Sequence, residues 1–296
     1  MKNWYKYLIY LSVVFALVYL IKADFLVIPQ IYSIQRLIWC ALFLFLGFIC
    51  DGLAWGAILR TSGFQKVSLK NALASHGTAI FGKYIPGKLW TIIGRAGYIA
   101  KRYDLSEKNL GIISLEAQFI SIWTGFLFSS ILLFDLQLSE FRYIVIIAAV
   151  IWLLLSMFLF TDFFHNIFSL LYEKILKRKV LTNHINIKVM LSVVPYYIMM
   201  WLFWCLSFYF LVTSVSTNPM PVLSGFSFAF AVNIGFIVII APGGIGIRES
   251  LLVGILMLYG IQITDATTIS VVSRLWFFIG ELFVFITAII ISFFKK

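Results

Sequence analysis

Two hydrophobic stretches decide the fold of this chain: FGKYIPGKLWTIIGR, residues Phe81–Arg95, and IAPGGIGIRES, residues Ile240–Ser250. Each is interrupted by proline and glycine, at Pro86-Gly87 in the first stretch and at Pro242-Gly243-Gly244 in the second. Proline removes a helical hydrogen bond and glycine lowers helix stability, so each stretch is predicted to form two helical arms joined at the break. Matched interruptions in two halves of a chain are typical of membrane proteins built from repeats, where they mark the binding site.

The composition predicts a polytopic membrane protein. Of the 296 residues, 62% are hydrophobic and 12% are charged, and apolar runs of about 20 residues recur along the chain. The formal charge of +11 does not indicate nucleic-acid binding, because lysine and arginine gather in short loops. The three cysteines lie inside apolar segments without metal spacing or a disulfide framework, so we expect no metal site and no cofactor.

The apolar segments form two similar series. They lie at residues 7–22, 36–59, 69–100, 110–134, 141–161, 190–213, 222–260 and 268–293. We interpret 7–22 as an uncleaved first span rather than a signal peptide, because no small-residue cleavage motif follows it. We therefore expect an all-α polytopic membrane protein with one transmembrane domain, residues 1–296, and two inverted repeats at 1–135 and 141–296. Each repeat has three membrane-spanning helices and one Pro-Gly-broken hairpin.

The distribution of lysine and arginine decides whether each broken segment crosses the membrane or returns. If both return and the N-terminus is cytoplasmic, fifteen of these residues lie in inner loops and three, Lys22, Arg36 and Arg142, in outer loops. If both cross once, the counts become eight inside and ten outside. Because short cytoplasmic loops are enriched in lysine and arginine, the returning arrangement is favoured.

Returning segments have a consequence for the symmetry of the chain. Each half then makes three net crossings, so the two halves have opposite orientations and their hairpins enter from opposite faces. A re-entrant hairpin and a hairpin that spans twice give the same count. We prefer re-entrant hairpins, because a Pro-Gly tip with free backbone groups suits a protein-lined cavity.

Nine ionisable residues remain inside the apolar segments. Each would cost about 2.5–3.5 kcal/mol at a lipid-exposed helix centre, so they must pair, reach the interface or face a water-filled cavity. They are Asp51, Lys83, Lys88, Arg95, Glu116, Arg248, Glu249, Arg274 and Glu281.

The residues around the two breaks predict a site for phosphate. Helix N-termini favour anions, and the arm after each break begins near the membrane centre. In this prediction the hinge or apex residues are Pro86, Gly87 and Pro242, and the substrate-binding residues are Lys83, Lys88, Arg95, Gly243, Gly244, Arg248 and Glu249. The alternative is that the breaks only kink packed helices, while the cations pair or reach the interface.

Four further charges are predicted to form a supporting polar network. Asp51 and Glu116 lie in the first half, where either would neutralise the cations of the first hairpin. Arg274 and Glu281 are seven residues apart and share one face of the last span. The alternative for these four residues, and for Glu249, is a purely structural ion pair.

These residues resemble the family that contains the transmembrane region of lysylphosphatidylglycerol synthases. The resemblance covers nearly the whole chain and is most specific in GKYIPGKLW to Arg95 and in PGGIGIRES, Pro242–Ser250. The Glu116 region and SRLWFFIGE, Ser273–Glu281, also fit, although Ala117 stands where many members carry arginine. The 296 residues contain no soluble aminoacyl-transfer domain, so the resemblance implies the lipid-translocating part without the synthase activity.

The expected function is that of a flippase-like protein of the prokaryotic cytoplasmic membrane, with both termini in the cytoplasm. Its partner would be a phospholipid, an aminoacylated phospholipid or a polyprenyl-phosphate lipid, and no nucleic acid. A homo-oligomer, or a partner from glycan or lipid biosynthesis, remains open. The alternative is an integral-membrane transferase or its accessory subunit, with Glu116, Glu249 or Glu281 as general base. No Walker A, HExxH or G-x-S-x-G motif supports an enzyme.

Overall fold

The computed structural model describes residues 30–85, 89–160, 187–237 and 246–293. Short 3₁₀ segments at Ile80–Tyr84, Ile131–Phe134, Leu136–Phe141 and Val222–Phe226 join or extend the helices. The α-helices of these ranges are α1 (Ile34–Thr61), α2 (Leu69–Ala79), α3 (Trp90–Tyr103), α4 (Glu107–Ser130), α5 (Arg142–Phe160), α6 (Ile187–Val215), α7 (Ser227–Ile237), α8 (Ile247–Leu258) and α9 (Ile263–Phe293).

Four helices are long and apolar enough to cross a membrane. They are α1, α4 with its 3₁₀ extension, α6 from Val189, and α9 to Ser292. They match four of the predicted segments. The predicted segment 141–161 forms α5, which has 19 residues, and the predicted span 7–22 lies outside the described residues. The prediction of an all-α polytopic membrane protein is confirmed.

Serine residues define where the helices of the first half begin. Ser33, Ser68 and Ser106 precede α1, α2 and α4, and each accepts a hydrogen bond from the backbone N–H three residues later. Such caps satisfy backbone donors that a helix start leaves free. Asp104, with φ of 53°, ends α3 in the left-handed conformation. Because the helices end and begin at these residues, the connections from α1 to α2 and from α3 to α4, at the base of the first hairpin, are short.

The first broken segment forms an antiparallel hairpin. At its closed end, a Cβ atom on Gly82 would lie 2.6 Å from the backbone nitrogen of Thr91, so only glycine allows the two arms to approach this closely. At its open end, the hydroxyl of Tyr103 accepts hydrogen bonds from Ser68 N at 3.1 Å and from Asn71 Nδ2 at 2.5 Å. The chain therefore returns to the end of the molecule from which the segment started.

The second broken segment is arranged in the same way. Its arms are α7 and α8, which pack against each other. At the base, Asn218 Nδ2 donates to the carbonyl oxygen of Gly260 at 3.1 Å, which joins the start of the segment to its end. The arms meet again near Phe236 and Arg248, which line one cavity.

Helices α1 and α6 run antiparallel through the centre of the molecule. The start of α1 contacts the end of α6, where Tyr32 N and Arg36 Nη1 donate to the carbonyl oxygens of Ser214 at 2.8 Å and Thr213 at 2.9 Å. Each hairpin begins just after one of these helices ends. The bases of the two hairpins therefore lie at opposite ends of the molecule.

Each hairpin also packs against a long helix of the other half. Helix α2 of the first hairpin packs on α9, and α7 of the second hairpin packs on α4. Between them lies an aromatic core in which Phe48, Trp204 and Phe277 meet at ring-centroid distances of 4.9 to 5.0 Å. Packing of this kind holds helices together where the surrounding lipid is as apolar as the protein.

Candidate functional site

A cavity of about 130 Å³ lies between the ends of the two hairpins. The first hairpin, the second hairpin and the middle of α9 each contribute part of its wall. The lining residues are Lys83, Tyr84, Val232, Gly235, Phe236, Arg248, Arg274, Phe277 and Glu281. The cavity therefore lies about halfway along a helix that is long enough to span a membrane.

Lys83 connects the first hairpin to α9. Its Nζ forms an ion pair with Glu281 Oε1, and the hydroxyl of Tyr84 donates to Glu281 Oε2 at 2.8 Å. The ammonium also lies 4.7 Å from the ring centroid of Phe277. The Lys83 side chain is 38% exposed, whereas that of Glu281 is completely buried. The ion pair of Lys83 is thus with an acid of the second half. Asp51, which the sequence offered with Glu116 as a neutralising acid for the cations of the first hairpin, lies within electrostatic range of Arg95 and Lys83.

Arg248 is placed at the cavity by the first turn of α8. Its Nη2 donates to Ser273 on α9, to the hydroxyl oxygen at 3.0 Å and to the carbonyl oxygen at 3.3 Å. The guanidinium carbon lies 5.0 Å from the ring centroid of Phe228. A rigid, planar guanidinium held in this way is well suited to bind a phosphate or carboxylate.

Glu249 has two structural roles next to Arg248. Its Oε1 pairs with Arg274 Nε on α9, and its Oε2 accepts a hydrogen bond from Gly246 N at 2.7 Å. Gly246 has φ of 82°, a conformation that favours glycine. The backbone N–H of Gly246 at this helix start is therefore already bonded to the Glu249 carboxylate.

The charged groups at and beside the cavity form a cluster whose net formal charge is positive. Lys83, Arg248 and Arg274 contribute three positive charges, while Glu249 and Glu281 contribute two negative charges, so the formal charge is +1. In a low-dielectric surrounding, such a site attracts a monovalent anion more strongly than a neutral ligand.

Arg95 lies away from the cavity. It is 4% exposed, and its guanidinium donates from Nε to the hydroxyl oxygen of Ser114 and from Nη2 to its carbonyl oxygen, both at 2.5 Å. The guanidinium carbon lies 4.4 Å from the ring centroid of Trp55. The structure thus separates Arg95 from the other predicted substrate-binding residues that it describes.

The first-half acids are also outside the cavity wall. Asp51 Oδ2 lies 3.4 Å from His76 Nε2. Glu116 is 6% exposed, and its Oε2 has no hydrogen-bond partner among the described residues. Sequence reasoning had no basis for pairing Asp51 with His76, because the two are 25 residues apart on different helices.

Six predicted site residues lie outside the described ranges. They are Pro86, Gly87, Lys88, Pro242, Gly243 and Gly244. The structure therefore brings together Lys83, Arg248, Arg274 and Glu281 at the cavity, with Glu249 paired to Arg274 beside it.

The sequence analysis missed five residues that line the cavity, and also Ser273, which accepts from Arg248; the five are Tyr84, Val232, Gly235, Phe236 and Phe277. Tyr84 and Ser273 are directly adjacent to Lys83 and Arg274 in the sequence, which is the signal that would have found them. Phe277 lies one turn from Arg274 on the same helix. Among the described residues, no group of three histidine, cysteine, aspartate or glutamate side chains is arranged to hold a metal ion.

Fold and site together define an all-helical, multi-pass membrane protein with a charged cavity between two hairpins. The chain matches the family described as Lysylphosphatidylglycerol synthase TM region over residues 4–284, and it belongs to this family. Neither a curated protein nor a solved structure gives a significant match. Family and apolar helices together indicate a membrane-embedded protein related to lipid handling.

Proposed function

We propose that this protein is a flippase-like transporter that moves a phosphate-containing lipid, or a lipid-linked glycan intermediate, across the membrane. The observation that carries the proposal is the single cavity in which Lys83 of the first hairpin meets Arg248 and Arg274 of the second half. Cations of this kind bind phosphate by charge-assisted hydrogen bonds. A phospholipid, an aminoacylated phospholipid and a polyprenyl phosphate all carry the required group.

The lining of the cavity supports an amphiphilic substrate. Its charged residues lie beside Tyr84, Phe236 and Phe277, so one wall is aromatic. In the proposed cycle the headgroup enters the cavity while the tails remain in the surrounding lipid. The two halves then rock against each other and expose the cavity to the other side.

The proposal includes two inverted repeats, 1–135 and 141–296, with re-entrant hairpins. Helix α3 has 14 residues and α8 has 12, which correspond to about 21 and 18 Å at 1.5 Å per residue. Both lengths are shorter than the hydrocarbon core of about 30 Å. Both termini would face the cytoplasm of a prokaryotic cell, in agreement with the lysine and arginine distribution.

Reconstitution tests the transport activity. The purified chain is placed in liposomes that contain fluorescent phosphatidylglycerol or phosphatidylethanolamine, or a polyprenyl phosphate, and headgroup exposure is followed with a membrane-impermeant quencher or enzyme. We expect faster exposure of at least one phosphate lipid than in protein-free liposomes. Unchanged exposure for every lipid would contradict the proposal. A new covalent lipid product would instead support the transferase alternative.

Cysteine labelling tests the inverted topology. Gln65 lies at the base of the first hairpin, and Thr217 lies at the base of the second. In a cysteine-free background, Thr217→Cys should react with an impermeant maleimide in intact cells, and Gln65→Cys should react only after permeabilisation. Labelling of both from the same side would contradict the opposite orientation of the two hairpins.

A further inference from the structure

We infer that binding of an anion in the cavity is coupled to uptake of one proton by Glu281. This inference rests on the proposed function. It begins from the Lys83–Glu281 ion pair, in which the lysine side chain is 38% exposed and the glutamate is completely buried. Both residues line the cavity.

An anion in the cavity competes with Glu281 for Lys83. Because the ammonium is the exposed member of the pair, a phosphate oxygen reaches Nζ from the cavity side. Lysine carries a compact point charge, so a second anion at Nζ weakens the attraction between the ammonium and the Glu281 carboxylate. Glu281 then keeps the hydrogen bond that the Tyr84 hydroxyl donates to its Oε2 at 2.8 Å.

A buried carboxylate that loses its cation becomes protonated. The energetic cost of an unpaired buried charge is large, and in proteins such a group usually becomes neutral instead. The step is balanced: the Glu281 carboxylate binds one proton from cavity water and becomes a carboxylic acid. Lys83 keeps its three protons and now pairs with the phosphate.

The charge of the cavity cluster favours this exchange. Before binding, three cations and two carboxylates give a formal charge of +1. After binding of a phosphodiester monoanion and one proton, the formal charge is again +1. Joint entry of an anion and a proton therefore avoids a change of net charge in a low-dielectric site, where such a change is costly.

Other ionisable groups surround Glu281, but they are engaged differently. Helix α6 packs on α9 through Trp204 and Phe208, which do not titrate. Within the described ranges, the elements packed against α9 near the cavity, and α9 itself, carry these charged or titratable groups: Lys83 and Tyr84 on the 3₁₀ segment, His76 on α2, Asp51 and Cys40 on α1, Arg248 and Glu249 on α8, and Arg274 on α9.

The other two acids do not line the cavity. Asp51 contacts His76 and lies within electrostatic range of Arg95 and Lys83, and Glu249 pairs with Arg274. Within the described ranges, Glu281 is the carboxylate that lines the cavity and shares its lysine with the anion site. The coupling is therefore assigned to Glu281.

Calorimetry of the full chain tests the coupling. The probe is dihexanoylphosphatidylglycerol, a phosphodiester whose own charge is constant over about pH 6–8. Titrations in buffers of different ionisation enthalpy give the number of protons taken up on binding. We expect about one proton to be taken up per bound probe. Because binding takes up a proton, the affinity for the probe should weaken as the pH rises, by up to about tenfold per pH unit in this range.

Variants identify the group that takes up the proton. Glu281→Gln imitates the protonated acid, so it should bind the probe without proton uptake and without pH dependence. Lys83→Met leaves Glu281 unpaired before binding, so it should bind more weakly and also take up no proton. If Glu281→Gln does not fold, Lys83→Met alone tests whether proton uptake depends on the Lys83–Glu281 pair. Asp265→Asn, an exposed acid on the same helix, is the matched control and should retain the proton uptake.

The outcomes separate the coupling from the proposed function. Probe binding by the unaltered protein without proton uptake would overturn the coupling and leave the proposed function in place. Undiminished proton uptake in Glu281→Gln would assign the proton to another group and also overturn it. If the unaltered protein binds neither this probe nor geranyl phosphate, the proposed function and the coupling both fail.

Discussion

The two hairpins secure their charged residues in different ways. The first reaches across the molecule, because Lys83 pairs with Glu281, which is 198 residues away in the other half. The second pairs within its own half, where Glu249 and Arg274 are 25 residues apart. Any movement between the halves at the cavity must therefore rearrange the Lys83–Glu281 pair, whereas the Glu249–Arg274 pair moves with its half.

The second arms of the two hairpins, α3 and α8, hold their arginines by the same kind of contact in different surroundings. Arg95 and Arg248 each donate to the hydroxyl and the carbonyl oxygen of one serine on the following span, and each lies over an aromatic ring. Only Arg248 is part of the cavity wall in the described structure. A similar local contact thus lies in packed surroundings in one half and in the cavity wall in the other.

The largest effect is expected for Lys83→Glu. This change places a second carboxylate beside Glu281 and repels phosphate, so transport in liposomes should fall by about 100-fold or more, since two charge-assisted contacts of about 1.5–3 kcal/mol are affected. Lys70→Glu, on the exposed start of the same arm, is the control and should transport normally.

A double variant distinguishes substrate binding from a structural ion pair. Lys83→Met combined with Glu281→Gln removes both charges and leaves no unpaired partner. If Lys83 binds the substrate, this protein should be as abundant as the unaltered chain but should transport poorly. Full transport by the double variant would contradict a role of Lys83 in substrate binding.

Arg248→Ala and Arg95→Ala should differ in kind. Arg248→Ala should reduce transport by about 10- to 100-fold, which corresponds to the loss of one charge-assisted contact, with abundance largely retained. Arg95→Ala should lower the free energy of unfolding by about 1–3 kcal/mol, because the buried polar groups of Ser114 lose their partner. Transport assays and thermal unfolding check the pair. Equal effects on transport and stability would remove the distinction between the two halves.

How far the sequence predicts the fold is clear from the two hairpins. The Pro-Gly breaks located them, and the lysine and arginine count predicted that each segment returns. The contacts of Gly82 and Tyr103 at the two ends of the first hairpin agree with this prediction for the first segment. Helix-breaking residues and loop charges act locally, so the hairpins can be recognised from the sequence alone.

The partners of the charges were not predictable in the same way. Asp51 or Glu116 was expected to neutralise a cation of the first hairpin, and Asp51 does lie within electrostatic range of Arg95 and Lys83. The direct ion pair of Lys83 is nevertheless with Glu281, which the packing of α2 on α9 brings to it. The burial of Arg95 likewise depends on its distance from Ser114 across two helices. Such pairings follow from tertiary packing, which a single sequence does not specify at residue level.

A smaller effect on stability is expected at the tip of the first hairpin. A methyl group on Gly82 would lie 2.6 Å from the backbone of Thr91, so Gly82→Ala should force the arms apart. We expect a loss of about 1–3 kcal/mol in the free energy of unfolding. Gly111→Ala on α4, where no atom lies within 4 Å, is the matched control. Equal unfolding temperatures for the two variants would contradict the close contact between the arms.

The smallest effect is expected for Glu249→Gln. Glutamine has only one accepting oxygen, so it keeps the hydrogen bond from either Gly246 N or Arg274 Nε and loses the other together with the charge, and the free energy of unfolding should fall by about 1 kcal/mol. Proton uptake on probe binding should remain. Loss of that uptake would show that both carboxylates of the cluster, rather than Glu281 alone, respond to the anion.

The separation of Lys83 from Glu281 also affects how the protein is made. The 198 residues between them take roughly 10–40 s to synthesise at about 5–20 residues per second. During that time the first hairpin has no Glu281, and an unpaired lysine would cost about 2.5–3.5 kcal/mol in the membrane. The first hairpin to leave the ribosome is therefore among the last parts of the protein to reach its final position, and α9 completes it.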